Sequence, residues 1–423
     1  MKKNFIPLII AVSLTIVAYE NFCQKRCSTS TEFLNREQSE KLIAAEPCTK
    51  NELEEEIAIK LLRVENFLVA ENLRGILLTT TRNFSWITAG IADNHIDLSS
   101  ETGPASLLIL KGGKKYLIAD NAETPHLMEE DLVGLGYEAR QYMWNEDRKL
   151  EFVYDLAGGA AIGTDYPLGD LKMVEESFAE LRYLFTPSEV KKFRWLSNNT
   201  AEAVASVCRI LEPGMSDRYI ESLASDALLK RGIRPTVILI GLDDRIEKYC
   251  HFPPVGRKLE KYAFVNVCAK RWGMVTSVGR YVYFGDLPEE LRNSVRASAF
   301  ICANMIHATK SGAAASDIFE QTKSWYAQTG YPGEWKNIHC GGAIGYLNRE
   351  WVATPENKNI VNDPQAFAWN PFVSASLSFH TIISSADGNE IVTAIEGWPV
   401  IDIEIEGTYY AMPDILVKNL KIK

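Results

Sequence analysis

The sequence predicts an α/β domain over 51–185 followed by an α+β domain over 186–423. A helical run over Leu53–Leu73 precedes short apolar strands, which is typical of a sheet flanked by helices. Thr186 then opens a capping box, the start signal of a long amphipathic helix. Apolar residues alternate along Phe264–Val282, which predicts a buried antiparallel hairpin. Together these patterns favour two domains of different construction.

In the first domain, three apolar segments are rich in leucine and isoleucine and have the length of strands. They lie at 75–78, 105–110 and 115–118. Gly112 and Gly113 separate the last two, and a glycine pair at that place predicts a hairpin turn. We therefore expect a mixed sheet in this domain.

The second domain begins with two helices whose ends are marked by breakers and caps. The first is expected to stop before Pro213, and Ser216 caps the second, which ends at Gly232. The other expected elements are a strand over 236–241, the hairpin, helices over 288–308 and near 316–326, and glycine-rich strands after Gly341.

Chain length and net charge limit the classes of molecule that the protein is expected to bind. The chain has 423 residues, of which 46% are hydrophobic and 24% charged, so it is long enough to bury a full core. Its net charge of −10 argues against nucleic acid or an anionic membrane surface as the main partner.

The amino terminus predicts export. Lys2 and Lys3 precede Phe5–Tyr19, which contains no charged residue. This run is shorter than the ~20 apolar residues of a transmembrane helix, so a signal peptide over 1–19 is favoured, and an uncleaved membrane anchor is the alternative. Residues 20–50 are polar and are expected to form a tether.

The eight cysteines form no recognisable framework. Cys27 and Cys48 could pair in an oxidising compartment, but their spacing leaves this open. A Cys/His metal site built from Cys250-His251 and His339-Cys340 is a further alternative.

The hairpin resembles the metal-binding hairpin of the pita-bread hydrolases, which include aminopeptidase P, prolidase, methionine aminopeptidase and creatinase. In that family two aspartates of the hairpin are metal ligands. Their positions correspond to Asn266 and Ser277 here, whereas a turn glycine and an arginine remain as Gly273 and Arg280. The hairpin therefore resembles the family's scaffold without its carboxylates.

The later family motifs show the same substitution pattern. Gly341–Gly345 resembles the family's G-H-G-I-G segment, and Arg349-Glu350 resembles its H-E pair. The resemblance places the five ligand positions at Asn266, Ser277, Gly342, Asn370 and Phe379. Divalent ions in such sites need carboxylates or imidazoles, so the sequence predicts neither a metal nor another cofactor.

Asn83–Gly90 resembles a short signature of the creatinase-type N-terminal domain. The resemblance covers most of the chain and implies a creatinase-like N-terminal α/β domain over 51–185, a pita-bread domain over 186–423, and a homodimer.

Creatinase, within the same family, cleaves a C–N bond without a metal by means of a histidine placed before the hairpin. His251 matches that histidine, but the acidic partners correspond to Gly279 and Phe379. The candidate catalytic residues are therefore His251, Arg349 and Glu350, and the candidate ligand-binding residues are Asn266, Ser277, Asn370 and His380.

Two classes of function follow from this resemblance. One is an exported, metal-independent hydrolase of the Xaa-Pro peptidase or creatinase type, acting on a small peptide or a guanidino or amide compound. The other is a non-catalytic relative whose pocket binds a small ligand or a protein. An ordinary metal-dependent Xaa-Pro aminopeptidase is a weaker alternative.

Overall fold

The computed structural model describes residues 34–419 of the chain. The predicted signal peptide and Cys27 lie outside these residues. Within them the order of elements is an α/β domain followed by an α+β domain, which confirms the predicted fold class.

The first domain is built on a six-stranded mixed sheet of order β4-β3-β2-β1-β5-β6. Three expected strands are present as β1, β2 and β3, and the Gly112-Gly113 turn joins the last two with both glycines at positive φ. The strands are β1 Gly75–Thr80, β2 Thr102–Leu110, β3 Lys115–Asp120, β4 Tyr137–Tyr142, β5 Ile162–Thr164 and β6 Lys172–Met173. The helices are α1 Arg36–Ile43, α2 Lys50–Ala70, α3 Thr81–Ile87, α4 Thr124–His126, α5 Lys149–Ala157 and α6 Glu175–Tyr183, with a π-helical turn over Leu127–Asp131.

The second domain begins with the capped helix that the sequence predicts. Thr186 accepts from the Glu189 amide while the Glu189 carboxylate accepts from the Thr186 amide, which closes a capping box. The helices are α7 Pro187–Ile210, α8 Asp217–Leu229, α9 Asp244–Lys248, α10 Glu289–Ala308 and α11 Ala315–Gln328, with a 3₁₀ turn over Glu334–Lys336. No helix within residues 34–419 has the length and apolar character needed to cross a membrane.

Strands of the second domain form two larger sheets and two short ribbons. One sheet has the order β19-β9-β8-β7 and the other β11-β10-β12-β15-β16. The strands are β7 Arg234–Leu242, β8 Tyr262–Arg271, β9 Met274–Phe284, β10 Gly341–Ile344, β11 Trp351–Val352, β12 Gln365–Trp369, β13 Phe372–Val373, β14 Ser376–Leu377, β15 His380–Ser385, β16 Gly388–Ile391, β17 Val400–Ile405, β18 Thr408–Pro413 and β19 Leu416–Lys418. The two larger sheets meet where Thr381 Oγ1 donates to the Ser277 carbonyl at 2.7 Å.

The predicted hairpin is β8 and β9, whose strands pair along their whole length. Its turn consists of Trp272 and Gly273, both at positive φ, a backbone region that glycine adopts easily and tryptophan rarely does. Helix α7 covers the outer face of the hairpin, where Ser197 and Thr276 share a 2.8 Å hydrogen bond between hydroxyls. The hairpin is therefore fixed on one side and leaves its other face for the site.

The described part of the predicted tether differs from the expectation. Residues 36–43 form helix α1, and Arg271 at the hairpin tip donates to the carbonyls of Leu42 and Ile43 at 3.0 and 2.7 Å. A cation at the C-terminal end of a helix donates to carbonyls that have no partner within the helix, and it interacts favourably with the helix dipole. Ser39 also donates to the Lys230 carbonyl at 2.7 Å. This segment is therefore docked on the second domain, which a polar sequence alone does not reveal.

A buried group of charges joins the two domains. Lys60 Nζ lies 2.6 Å from Glu56 and 2.8 Å from Glu189, and all three side chains are fully buried. Lys192 lies 2.9 Å from Glu56, and Tyr346 donates to Glu189 at 2.7 Å. We call this group the junction network. It contains two lysines and two glutamates, so its formal charge is zero.

Candidate functional site

A cavity of about 180 Å³ opens beside the inner face of the hairpin. Its polar wall consists of His251, Asn266, Cys268, His339, Asn348, Arg349 and Asn370, together with Cys250. Its apolar wall consists of Val237, Leu239, Phe252, Phe264, Ile338, Leu377 and Phe379. No aspartate or glutamate is among the residues that line it. Four predicted site residues, His251, Asn266, Arg349 and Asn370, therefore converge on one place.

Arg349 is the cation of this cavity. Its Nη2 donates to Asn370 Oδ1 at 2.7 Å and its Nη1 donates to the Asn348 carbonyl at 2.6 Å. Its Nε is buried and has no hydrogen-bond partner among the described residues. Burial lowers the pKa of the guanidinium, and no carboxylate of residues 34–419 compensates for it. Arg349 is thus a half-buried cation that hydrogen-bonds to neutral oxygens and lies over the Phe379 ring.

Two histidines lie at the mouth of the cavity. His251 is exposed in the loop between α9 and β8, and His339 precedes β10. Although part of the His339 ring reaches solvent, partial desolvation and the charges of Arg349 and His251 lower its pKa to about 4. His339 is therefore neutral near pH 7. The sequence names His339 only in the alternative Cys/His metal site, and not among the candidate catalytic or ligand-binding residues.

Asn266 and Asn370 both line the cavity and are both buried. Asn370 donates to the His339 carbonyl at 3.1 Å while it accepts from Arg349, so its orientation is fixed. Ser277 lies behind the wall, where its hydroxyl donates to Cys268 Sγ at 3.1 Å. Ser277 does not itself line the cavity, and its hydroxyl contacts the lining residue Cys268 from behind.

The backbone leaves no room for a side chain at position 342. A Cβ on Gly342 would lie 2.1 Å from the Trp351 carbonyl oxygen and 2.8 Å from Val352 Cα, both in the neighbouring strand. Real Cβ atoms do not approach backbone atoms so closely, so the strands would have to separate.

Position 279 is closed by an aromatic ring instead. A Cβ on Gly279 would lie 2.5 Å from Phe264 Cζ, and the Phe264 ring stacks on Tyr281 with centroids 4.1 Å apart. The volume beside Gly279 is therefore filled from the paired strand β8.

The sequence comparison decides the family. Residues 191–409 match the profile of metallopeptidase family M24. The chain belongs to this family. Methionine aminopeptidase 1A from Arabidopsis thaliana is 24% identical over 295 residues, which are 66% of this chain and 71% of that protein.

Solved structures agree on the fold of this M24 protein. Dipeptidase PepE from Mycobacterium ulcerans superimposes with a TM-score of 0.70 over 86% of this chain and 98% of that one, at 14% identity. The prolidase from Pyrococcus horikoshii OT3 gives a TM-score of 0.68 over 80% and 98%, at 15% identity. At such identities the likeness establishes the prolidase-like fold and no more.

The residues present do not fit the two-metal centre that the name metallopeptidase implies. Within residues 34–419 there is no group of three or more histidine, cysteine, aspartate or glutamate side chains arranged to hold a metal ion. A two-metal site needs bridging carboxylates, and the cavity offers amides, a guanidinium and two histidines instead. The same finding removes the alternative Cys/His site built from Cys250, His251, His339 and Cys340.

Glu350 is placed differently from the sequence-based hypothesis. Its carboxylate lies 2.9 Å from Arg182 Nη2 and accepts from the Tyr346 amide at 2.9 Å, and it does not line the cavity. Both side chains of the Glu350–Arg182 pair are buried. Glu350 is therefore half of an internal ion pair outside the cavity lining, and the catalytic role expected for it stays a prediction.

His380 also lies away from the cavity lining. Its ring is buried, its Nδ1 has no partner among the described residues, and burial together with the charge of Arg280 lowers its pKa well below the usual value. His380 begins β15 and lies outside the lining that includes Asn370, and the ligand-binding role expected for it stays a prediction. Phe379, its neighbour, is the one that reaches the cavity.

Proposed function

We propose that this M24 protein works without metal and binds a small peptide-like ligand in the hairpin cavity rather than hydrolysing it. The observation that supports this is the cavity wall, which contains Arg349 and two histidines but no carboxylate. The fold of the peptidases is kept around it, including a formed pocket with fixed polar groups.

The chemistry of the wall argues against the family's usual catalysis. Two-metal hydrolysis needs carboxylates to hold the pair of ions, and the ions lower the pKa of bound water. General-base catalysis without metal works best when the base has a pKa near the working pH. His339, with a pKa of about 4, is a weak base, and no acid lines the cavity to orient either imidazole.

Metal-independent hydrolysis centred on His251 is the second candidate. It is favoured by the placement of His251 and His339 in one cavity beside Arg349. On this alternative His251 exchanges the proton with water, and Arg349 holds the substrate. The substrate would be a small peptide or a guanidino or amide compound.

The deciding experiment combines elemental analysis with activity. Purified protein is analysed for bound metals and then assayed with Xaa-Pro peptides and guanidino compounds, with and without added manganese, cobalt or zinc. We expect no stoichiometric metal and no turnover in either condition. Two equivalents of metal with metal-dependent cleavage would overturn the proposal in favour of an ordinary Xaa-Pro aminopeptidase.

Metal-independent turnover would instead favour the His251 hypothesis. In that case His251→Ala should lower the rate by about two orders of magnitude. His307→Ala is the matched control, since His307 lies in another part of the domain and pairs with Tyr410 at 3.0 Å.

A further inference from the structure

We infer that the ligand of the hairpin cavity is a small organic carboxylate with an apolar body, and that ligands carrying a free ammonium group are rejected. This inference rests on the proposed metal-free function and specifies the chemistry of its ligand. It is carried by the charge of the wall, the free donors of Arg349 and the size of the apolar floor.

The charge of the wall has one sign. Arg349 is the permanently charged side chain among the lining residues, and His251 and His339 are the titratable bases beside it. An ammonium group entering this wall would meet Arg349 in partly desolvated surroundings, where like charges repel more strongly than in water. No lining carboxylate is present to bind it. The wall therefore favours anions.

Arg349 has unused donors for such an anion. Each Nη makes one hydrogen bond to a neutral oxygen, to Asn370 or to the Asn348 carbonyl, although a guanidinium carries five N–H groups. Both contacts hold the guanidinium in place. A planar guanidinium held in this way matches the two oxygens of a carboxylate. The negative charge of an incoming anion would also raise the pKa of Arg349, which burial lowers.

The floor of the cavity specifies the rest of the ligand. Phe252 and Phe264 pack edge to face with centroids 5.8 Å apart, and Leu239, Leu377 and Phe379 extend this apolar surface. A volume of about 180 Å³ is small. Cavities of about 150 Å³ accept one benzene ring, whereas drug-sized ligands occupy about 300–1,000 Å³. The cavity therefore fits one aromatic or branched aliphatic group next to the carboxylate.

A matched pair of probes tests this specificity. N-acetyl-L-phenylalanine is an anion, and L-phenylalaninamide presents the same side chain on a cation. Titration calorimetry of the metal-free protein should show binding of the anion at least about tenfold tighter than the amide, since hydrogen bonds to charged groups are worth that much or more. Equal or tighter binding of the amide would overturn the inference.

Variants locate the effect on Arg349. Arg349→Gln should weaken binding of N-acetyl-L-phenylalanine about tenfold or more, and Arg349→Lys, which keeps the charge without the planar fork, should weaken it less. Arg194→Gln is the control, because Arg194 is a surface residue paired with Glu390 at 2.7 Å. Circular dichroism verifies that each variant is folded.

Two results separate this inference from the proposed function. Unchanged anion affinity in both folded Arg349 variants would refute the carboxylate site while leaving metal independence intact. Stoichiometric metal in the purified protein would refute the proposed function itself. The probes are then measured after metal removal, and preference for the amide would refute the anion site as well.

Discussion

Two regions of the molecule that contain cations, the junction network and the hairpin cavity, differ in how their charge is balanced. In the junction network, Lys60 and Lys192 lie within 3 Å of Glu56 and Glu189, so every charge has a partner. In the hairpin cavity, Arg349 donates its hydrogen bonds to neutral oxygens, and no carboxylate of residues 34–419 lines the cavity beside it. The junction network is closed and the cavity is open. A balanced group is complete without a ligand, whereas an unbalanced cation beside an open cavity is suited to one.

The pKa values follow the same division. Burial alone would raise the pKa of Glu189, but Lys60 and Lys192 outweigh it and hold that pKa below its usual value. Burial lowers the pKa of Arg349, and only Cys268 opposes this shift. Burial and the charges of Arg349 and His251 all lower the pKa of His339. Burial also lowers the pKa of Lys192 in the junction network, but Glu56 and Glu189 oppose that shift. No carboxylate of the described residues opposes it at Arg349 or His339, so an added anion would take that place.

Breaking the junction network should have the largest effect on stability. Lys60→Met leaves the fully buried Glu56 and Glu189 with a single lysine between them. Removing one partner of a buried ion pair costs about 3–5 kcal/mol, because the remaining charge is uncompensated. Urea unfolding should show this loss. Lys191→Met is the control, since Lys191 pairs with Glu52 on the surface and should leave the unfolding midpoint nearly unchanged. Similar midpoints for both variants would contradict the structural role of the network.

Filling position 342 should be the next most damaging change. Gly342→Ala places a methyl group against the Trp351 carbonyl and should lower the free energy of unfolding by about 3 kcal/mol, the upper part of the range for overpacking. Gly333→Ala is the matched control, because its Cβ meets no heavy atom within 4 Å and its φ of −115° suits alanine. If both variants were equally stable, position 342 would have room for a metal-ligating side chain and would not be sterically closed.

Glu350→Gln should separate stability from binding. Glutamine keeps one acceptor oxygen for the Tyr346 amide, but it loses the charge and places an NH2 group where Oε2 accepts from Arg182 Nη2. We therefore expect a loss of about 2 kcal/mol. Affinity for N-acetyl-L-phenylalanine should stay the same, since Glu350 does not line the cavity. Weaker anion binding with unchanged stability would restore Glu350 to the site.

Local signals in the sequence predict the fold class and several of its main elements. The capping box at Thr186 and the alternation along the hairpin predict α7, β8 and β9 because caps and periodicity are properties of neighbouring residues. Helix α1 was missed because it is short and polar, and its stability depends on Arg271, which lies far along the chain.

The site was predicted only in part, for the same physical reason. Motif positions brought His251, Asn266, Arg349 and Asn370 to one cavity. The Glu350–Arg182 pair, separated by 168 residues, and the Phe264 ring that closes position 279 arise from tertiary packing. No pattern of neighbouring residues in the sequence predicts either contact. The sequence therefore locates the cavity, whereas the contacts of Ser277, Glu350 and His380 outside its lining are seen only in the structure.

The smallest expected effect is a pH dependence of anion binding, set by His339. In the free protein the pKa of His339 is lowered from 6.5 to about 4, with Arg349 and His251 as the charged groups that face it. The unfolded state therefore binds a proton that the native state does not between pH 6.5 and 4, so His339 reduces stability as the pH falls through that window. Partial exposure of the ring keeps this contribution small.

A bound anion acts on the pKa of His339 in the direction opposite to burial. Its negative charge raises the pKa of His339 back toward 6.5, so binding takes up a proton and should tighten as the pH falls from 7.5 to 5. The carboxylate of N-acetyl-L-phenylalanine stays ionised over this range, because α-carboxyl groups titrate near 3.3–3.7. Calorimetry at several pH values, in buffers of different ionisation enthalpy, measures both the affinity and the protons taken up. His339→Gln should remove most of the uptake while His307→Gln retains it. Proton release on binding, or an affinity that rises with pH, would show that the ligand's charge is not the one Arg349 and His339 are placed to receive.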